Sequence, residues 1–345
     1  MTHISRSKAK SISKAKSRSR SEAKSRSKAK VEAPAAGIDV GKHKLQLGFS
    51  DGEVEGEYAN DAEGHAALIA ALRQRGVVRA GLESTASYST GIAQALREAG
   101  FTVNVFQPRQ VKAFAQFKLR RAKTDKIDAV TIAQCTALSD PQATPDARLA
   151  DLCERLTLID QLCDDIKRGK TRLEHVTIAE IRAVHRDEIK RLTLRRRTAI
   201  RELVARVRRH HDLAERMDLL LSIDGIGALG ALTLVLRMPE LGSLTREQAS
   251  SLLGVAPFSH ESGEYEGQAH IAGGRRRARR TLFAAAQVAC RRWNPALVAL
   301  YQRLTAKGMH HTAAVVACAR KLVIYANAVL MRGKPWTKNI EHTAA

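Results

Sequence analysis

Four carboxylates stand where a carboxylate is costly unless it does chemistry. They are Asp39, Glu83, Asp125 and Asp128. Asp39 interrupts an apolar strand in GIDVGK, and Glu83 ends another in VVRAGLEST. Asp125 and Asp128, in AKTDKIDAVTIAQ, are three apart and therefore share one helical face. Hard oxygen ligands without His or Cys suit Mg2+ or Mn2+. Two such ions can activate the attacking oxygen and stabilise the leaving oxygen of an in-line phosphoryl displacement. Singly, each acid reads as a cap or a salt-bridge partner; the four in this order point to metal. Lys123 and Lys126 flank the helical pair, either to touch phosphate or to balance the charge of the cluster.

Two further segments carry chemistry. SIDGIGALGALTLV resembles a helix-hairpin-helix loop, in which Gly225 and Gly227 allow a tight turn that offers N–H groups to a phosphate beside a helix N-terminus. Glycine-rich helix turns also serve packing alone, and that alternative stays open. In GVAPFSHESGEYEGQAHIAGGRRRARRTL, Ser262 precedes a glycine and is followed by Arg275, Arg276, Arg277, Arg279 and Arg280. A serine hydroxyl is a poor nucleophile without a base, a metal or a field of positive charge. Guanidinium groups would bind a scissile phosphate bidentately and stabilise its developing charge. From the residues alone Ser-Gly is a turn, Ser259 competes for the role, and His260 is either a base or a surface residue.

The balance of charge fits an anionic partner. The chain has 345 residues and a net charge of +23. Eleven Lys and Arg against two acids lie in residues 1–32, a surplus of 9 that leaves +14 for the rest. The folded part is thus basic on its own account, which favours nucleic acid over a membrane surface or an acidic substrate. The five cysteines are scattered with no C-x-x-C pair, as expected of reduced thiols in an intracellular protein without a zinc site. No apolar run reads as long enough to span a bilayer, and there is no secretory h-region.

These side chains need elements to position them. Residues 1–32 are a Ser-, Lys-, Arg- and Ala-rich run expected to be disordered, as a nucleic-acid tail or an inert extension. Its acid-poor composition superficially resembles a transit peptide, but an apolar face is missing. Residues 33–148 read as β-β-α-β-α-β-α-α, a mixed sheet flanked by helices. AAGIDVGKHKLQLGFS is read there as one strand, GEVEGEYAN as its hairpin partner, and DAEGHAALIAALRQRG as a helix from the N-cap Asp61 to a stop at Gly76. VVRAGLE and FTVNVFQP are strands; SYSTGIAQALREAG, RQVKAFAQF and TDKIDAVTIAQCTAL are helices. SDPQATPDAR is a linker. Residues 149–217 are long, charge-rich helices, read as an antiparallel pair or coiled coil for oligomerisation, with the Arg191–Arg209 stretch as a nucleic-acid surface or a solvated face. Residues 218–336 are mostly helical, and 337–345 form a tail.

Together these blocks resemble the insertion sequence 110 family of transposases, related to the Piv-type DNA invertases. GIDVGK, GLEST, NVFQPRQVKAFA and RAKTDKIDAVTIA are similar to its N-terminal block; SIDGIG, LLGVAPFSHESG, RRRARRTLFAAA and ARKLV to its C-terminal block. The match runs from about Ala36 to Trp336. Family members usually carry Pro where Asp224 stands and an apolar residue where Ala278 lies, and the basic tail is outside the pattern. The resemblance implies a RuvC-like, RNase H-type α/β domain bearing an acidic tetrad, here Asp39, Glu83, Asp125 and Asp128. It also implies long coiled-coil helices and a mostly α-helical transposase domain, whose serine, here Ser262, attacks DNA to form a phosphoserine link. Members work as tetramers, with the serine of one subunit meeting the tetrad of another. They are guided by an element-encoded bridge RNA that pairs with target and donor DNA. A cytoplasmic protein, on the nucleoid when bound to DNA, is implied too. Two rivals remain: a junction-resolvase-like nuclease with water as nucleophile, and a non-enzymatic nucleic-acid-binding protein whose acids are structural.

Overall fold

The computed structural model describes residues 34–85, 87–119, 124–258, 261–262, 265–266 and 270–337, with the backbone alone at 261, 262, 265 and 266. Contacts divide the chain into two units, meeting at Pro145 and Asp146.

In the first unit the stretch expected to form one strand forms two, β1 (Ala36–Val40) and β2 (Lys44–Phe49). Gly41, Lys42 and His43 turn the chain, and the Gly41 N–H donates to the Lys44 C=O at 2.8 Å. β1 is covered on both faces, so it lacks the alternation that marks a half-exposed strand. β3 (Val54–Ala59), β4 (Arg79–Glu83) and β5 (Thr102–Phe106) complete a sheet of order β3-β2-β1-β4-β5. β3, β2 and β1 pair antiparallel; β1, β4 and β5 pair parallel.

Helices lie on both faces. α1 (Ala62–Gln74) starts at Asp61, whose carboxylate accepts from the Gly64 N–H at 2.9 Å, and it ends before Gly76. α2 (Tyr88–Glu98) ends before Gly100. Leu68, Leu72, Ile92 and Leu96 from these helices bury against Ile38, Leu45, Leu47 and Leu82. On the other face are α3 (Pro108–Phe117) and α4 (Asp125–Leu138). Pro108, expected to close a strand, opens α3 at the position where a missing N–H costs nothing. Thr124 caps α4 by accepting from the Ile127 N–H at 3.3 Å.

α4 touches the sheet through backbone at Gly37 and through the Thr136 side chain at Gly81. A Cβ added at Gly37 of β1 would lie 2.2 Å from the Ala129 carbonyl oxygen and the Ala133 nitrogen. One added at Gly81 of β4 would lie 1.8 Å from the Thr136 hydroxyl. Only glycine fits under a helix seated so low.

The second unit begins with α5 (Arg148–Glu174) and α6 (Ala179–Val207), an antiparallel helical hairpin. Gly169 lies against Ile189 near the tip, while Leu156 and Ile159 share a core with Leu203 and Val207 at the base. Arg182 ties the connection by donating to the Leu173 and Val176 carbonyls at 3.1 and 2.6 Å. α7 (His211–Leu221), α8 (Ala228–Arg237) and α9 (Arg246–Leu253) follow. Four two-residue strands come next: β6 (Pro257–Phe258), β7 (Glu261–Ser262), β8 (Tyr265–Glu266) and β9 (His270–Ile271). α10 (Arg276–Val288) runs into a π-helical turn at Ala289–Trp293, then α11 (Pro295–Ala306) and α12 (His311–Arg332). The base of the hairpin contributes to the same core as α7 to α12. Contrary to expectation, one helix, α12, is long and apolar enough to cross a membrane by length and composition. Its Val315, Cys318, Leu322, Val323 and Val329 are buried in this core instead.

Candidate functional site

β1 and β4 run parallel with Ile38 opposite Leu82, so Asp39 and Glu83 come next in register at the C-terminal ends of neighbouring strands. Alternation puts Asp39 on the face of Gly37 and Glu83 on the face of Gly81, the face that α4 covers. Asp125 and Asp128 fall in the first turn of α4. The Asp125 carboxylate lies 3.3 Å from Lys44 Nζ. Lys44 is two residues from Gln46, the cross-strand partner of Asp39. The helix therefore starts at the Asp39 end of the sheet, so its first turn lies toward the C-terminal ends of β1 and β4. Asp39, Glu83 and Asp128 are half-buried there, and Asp125 is exposed.

Among the described residues, no three His, Cys, Asp or Glu side chains stand close enough together to hold one metal ion. The oxygen-only donor set still fits Mg2+ or Mn2+ in kind. The cation at Asp125 is Lys44, which also reaches Glu57 at 3.1 Å. Hydrogen bonds to Glu57 and Asp125 raise the Lys44 amine above its ordinary value. Sequence reasoning passed over Lys44, although its alternation with Gln46 and Gly48 was the available signal. Lys126 is exposed on α4, and Lys123 lies outside the described residues.

The glycine turn joins α7 to α8. Gly225 takes φ +104°, and a Cβ there would lie 2.4 Å from the Ala289 Cβ of the π-helical turn. Asn294, which closes that turn, donates to the Asp224 carbonyl at 3.1 Å. Packing thus accounts for Gly225. Gly227 caps α8, is exposed, and has open space about it.

Ser262 sits in the β7–β8 pair, opposite Tyr265. That pair is nested inside the β6–β9 pair, where Phe258 faces His270. Ser259 and His260 lie outside the described residues. α10 starts just after this arm, and its arginines are engaged in different ways. Arg275 grips Glu240 through two contacts of 2.6 and 2.5 Å. Burial alone would raise the Glu240 carboxyl; Arg275 and a backbone hydrogen bond together outweigh it and hold the group below its ordinary value. Arg277 donates to Asp160 at 3.0 Å, and Arg280 to Asp164. Arg279 donates to the Gly254 and Gly273 carbonyls at 3.1 and 2.9 Å. Arg276 is exposed.

Asp160 is the residue that sequence reasoning missed. It is buried on α5 and pairs with Arg237 at 2.5 Å as well as with Arg277. The signal was its place one turn after Leu156, on the apolar side of the helix. Beside this cluster lies a cleft of about 510 Å³ lined by Arg276, Arg277, Arg279, Arg280 and Asp164, and by Val255, Ile271, Phe283 and Val316.

Residues 36–179 match the DEDD transposases of IS110 type, and residues 217–302 match the transposase IS116/IS110/IS902 family. The chain carries IS110-family transposase domains. Asp39, Glu83, Asp125 and Asp128 fall in the first IS110-type stretch and Ser262 in the second. The chain is 25% identical over 269 residues to the pilin gene-inverting protein of Moraxella bovis, spanning 75% of this chain and 82% of that protein. The Moraxella lacunata protein of the same name gives the same figures. Two solved structures of RuvC from Thermus thermophilus are also similar. One is 19% identical over 30% of this chain and 93% of RuvC, with a TM-score of 0.25. The other, in complex with a Holliday junction substrate, is 20% identical over 33% and 85%, with a TM-score of 0.22. Likenesses of that size carry no argument; the mixed sheet rests on its own strand order.

Proposed function

We propose that this protein is a metal-dependent, RNA-guided DNA recombinase that moves its own insertion element. The observation that carries this reading is the register of Asp39 with Glu83 on the face beneath the first turn of α4, within IS110-family transposase domains. Asp39, Glu83, Asp125 and Asp128 would hold Mg2+ or Mn2+, which when bound polarises the scissile phosphate. The Ser262 hydroxyl attacks phosphorus and gives up its proton. A phosphoserine ester forms, and the strand's 3′-oxygen leaves and takes a proton. The 3′-hydroxyl of another strand then displaces the serine, so no phosphodiester energy is lost. The arginine segment Arg275–Arg280, with Lys123, Lys126 and the Gly225–Gly227 turn, contacts the nucleic-acid backbone. A bridge RNA selects target and donor DNA.

The RuvC-like domain and the serine belong to different subunits of a tetramer in this reading. The α5–α6 hairpin pairs the subunits as a coiled coil. Support comes from Ile178, Ile181, Val184 and Leu194, which are exposed along α6 and its approach.

Replacing Ser262 tests the nucleophile. Ser262→Ala should abolish covalent protein–DNA adducts on denaturing gels and leave DNA binding intact. A variant that still recombines overturns the assignment, and cleavage by the native protein without any adduct favours water as nucleophile. Mg2+ titration of Asp39→Asn and Asp125→Asn tests the acids: unchanged metal binding leaves them purely structural.

A further inference from the structure

The arginines of α10 divide into two sets. Arg277 and Arg280 pair with Asp160 and Asp164 of α5, Asp160 being shared with Arg237. Arg279 is held by two backbone carbonyls, which aim its guanidinium without cancelling its charge. Arg276 is exposed, and among the described residues neither it nor Arg279 pairs with a carboxylate. Both line the cleft beside α10.

Besides the arginines and Asp164, which holds Arg280, the cleft wall is apolar. Phe283 and Val316 come from α10 and α12, Val255 follows α9, and Ile271 belongs to β9 at the base of the Ser262 arm. Ile271 is 39% exposed, so it presents apolar surface rather than filling a core. The backbone of a duplex asks only for cations. A nucleotide out of the stack asks for a cation at its phosphate and an apolar or aromatic surface at its base. The volume of about 510 Å³ is in the usual range for a small-molecule pocket, roughly 300–1,000 Å³.

We propose that this cleft takes one unstacked nucleotide of a single strand, its phosphate on Arg276 and Arg279 and its base against Phe283 and Ile271. The proposal rests on the reading that the chain acts on nucleic-acid strands, and it goes beyond backbone contact: one base leaves its stack beside the serine arm.

The test uses the full chain and short fluorescent oligonucleotides of one sequence, intact or abasic throughout, as DNA and as RNA. The expected result is tighter binding of the intact strand by about tenfold, the scale of one base–aromatic stack. Phe283→Leu should narrow that ratio several-fold. Arg276→Gln should weaken intact and abasic strands alike and leave the ratio unchanged. A 2-aminopurine strand on the native protein needs no variant: its fluorescence should change on binding as the probe base leaves its neighbours and meets the cleft. The larger intact-to-abasic ratio, DNA or RNA, names the source of the nucleotide. Equal binding of intact and abasic strands by the native protein overturns the proposal, as does a ratio untouched by Phe283→Leu. These outcomes are independent of the adduct assay. Base dependence without adducts retains the cleft and sinks the recombinase; adducts without base dependence do the reverse.

Discussion

Lys44 sets a problem for any cation that approaches Asp125. Its ammonium already stands 3.3 Å from that carboxylate, and its raised pKa keeps it charged throughout the neutral range. A raised amine is protonated below its folded value, so moving from pH 6 to pH 9 will not release Asp125. The pair is exposed on both sides, so solvent and salt screen it and its hold on Asp125 is weak. Lys44→Met should therefore tighten Mn2+ binding a few-fold, read by isothermal titration; weaker binding would make Lys44 a helper of the metal rather than its competitor. Asp160 poses the converse case, a buried carboxylate among arginines. Removing one partner of a buried pair strands the other charges at about 3–5 kcal/mol. Asp160→Ala should lower the unfolding free energy by that amount in denaturant titration, and a loss under 1 kcal/mol would mean the arginines find water instead. Asp39 and Glu83 stand out in the sequence because each breaks an apolar strand, and Asp125 and Asp128 because they share one helical face. Asp160 was not, because a single Asp in a charge-rich helix looks solvated until partners more than 70 residues away are folded onto it.

Elements explain why those acids lie toward one end of the sheet. Gly37 and Gly81 let α4 lie on the strands, so a methyl group at either position has nowhere to go. Overpacking of this kind costs about 1–3 kcal/mol and occasionally more. Gly37→Ala should destabilise the protein by at least that much, while Gly56→Ala, with nothing within 4 Å of the added carbon, should be near neutral. Equal midpoints in urea for the two variants would show that α4 is free to lift. Most elements of the first unit were readable from capping, periodicity and glycine stops: Asp61, Gly76, Gly100 and Thr124 all mark real boundaries. The turn at Gly41 was missed because β1, covered on both faces, shows no alternation to contrast with that of β2. The two-residue strands around Ser262 are too short to carry a period at all.

Over the whole molecule, the charge of +23 and the apolar residues left along the hairpin ask for partners of different kinds. Ile181 and Val184 are 44% and 69% exposed, three residues apart on one side of α6. If that side joins two copies of the chain, placing Asp at both positions buries unpaired charge in the joint. The double variant should then elute as a smaller species in light-scattering chromatography, with its circular dichroism unchanged. An unchanged mass would assign the hairpin to another role. The antiparallel pairing of α5 and α6 was legible from their apolar recurrence and the lack of Pro. That their base belongs to the core of α7 to α12 was not, since helix periodicity names a buried face but never the neighbour that buries it.

The low seat of α4 has a further consequence. Because helix and strand touch through main-chain atoms at Gly37, the height of α4 above β1 is gauged there by peptide dimensions, which do not vary between sequences. Core residues on the opposite face of the sheet can drift, shrink or swap without altering that gauge. A lineage built on this arrangement can rewrite most of its interior while the seat of α4 on β1 is inherited unchanged; losing Gly37 would lift it.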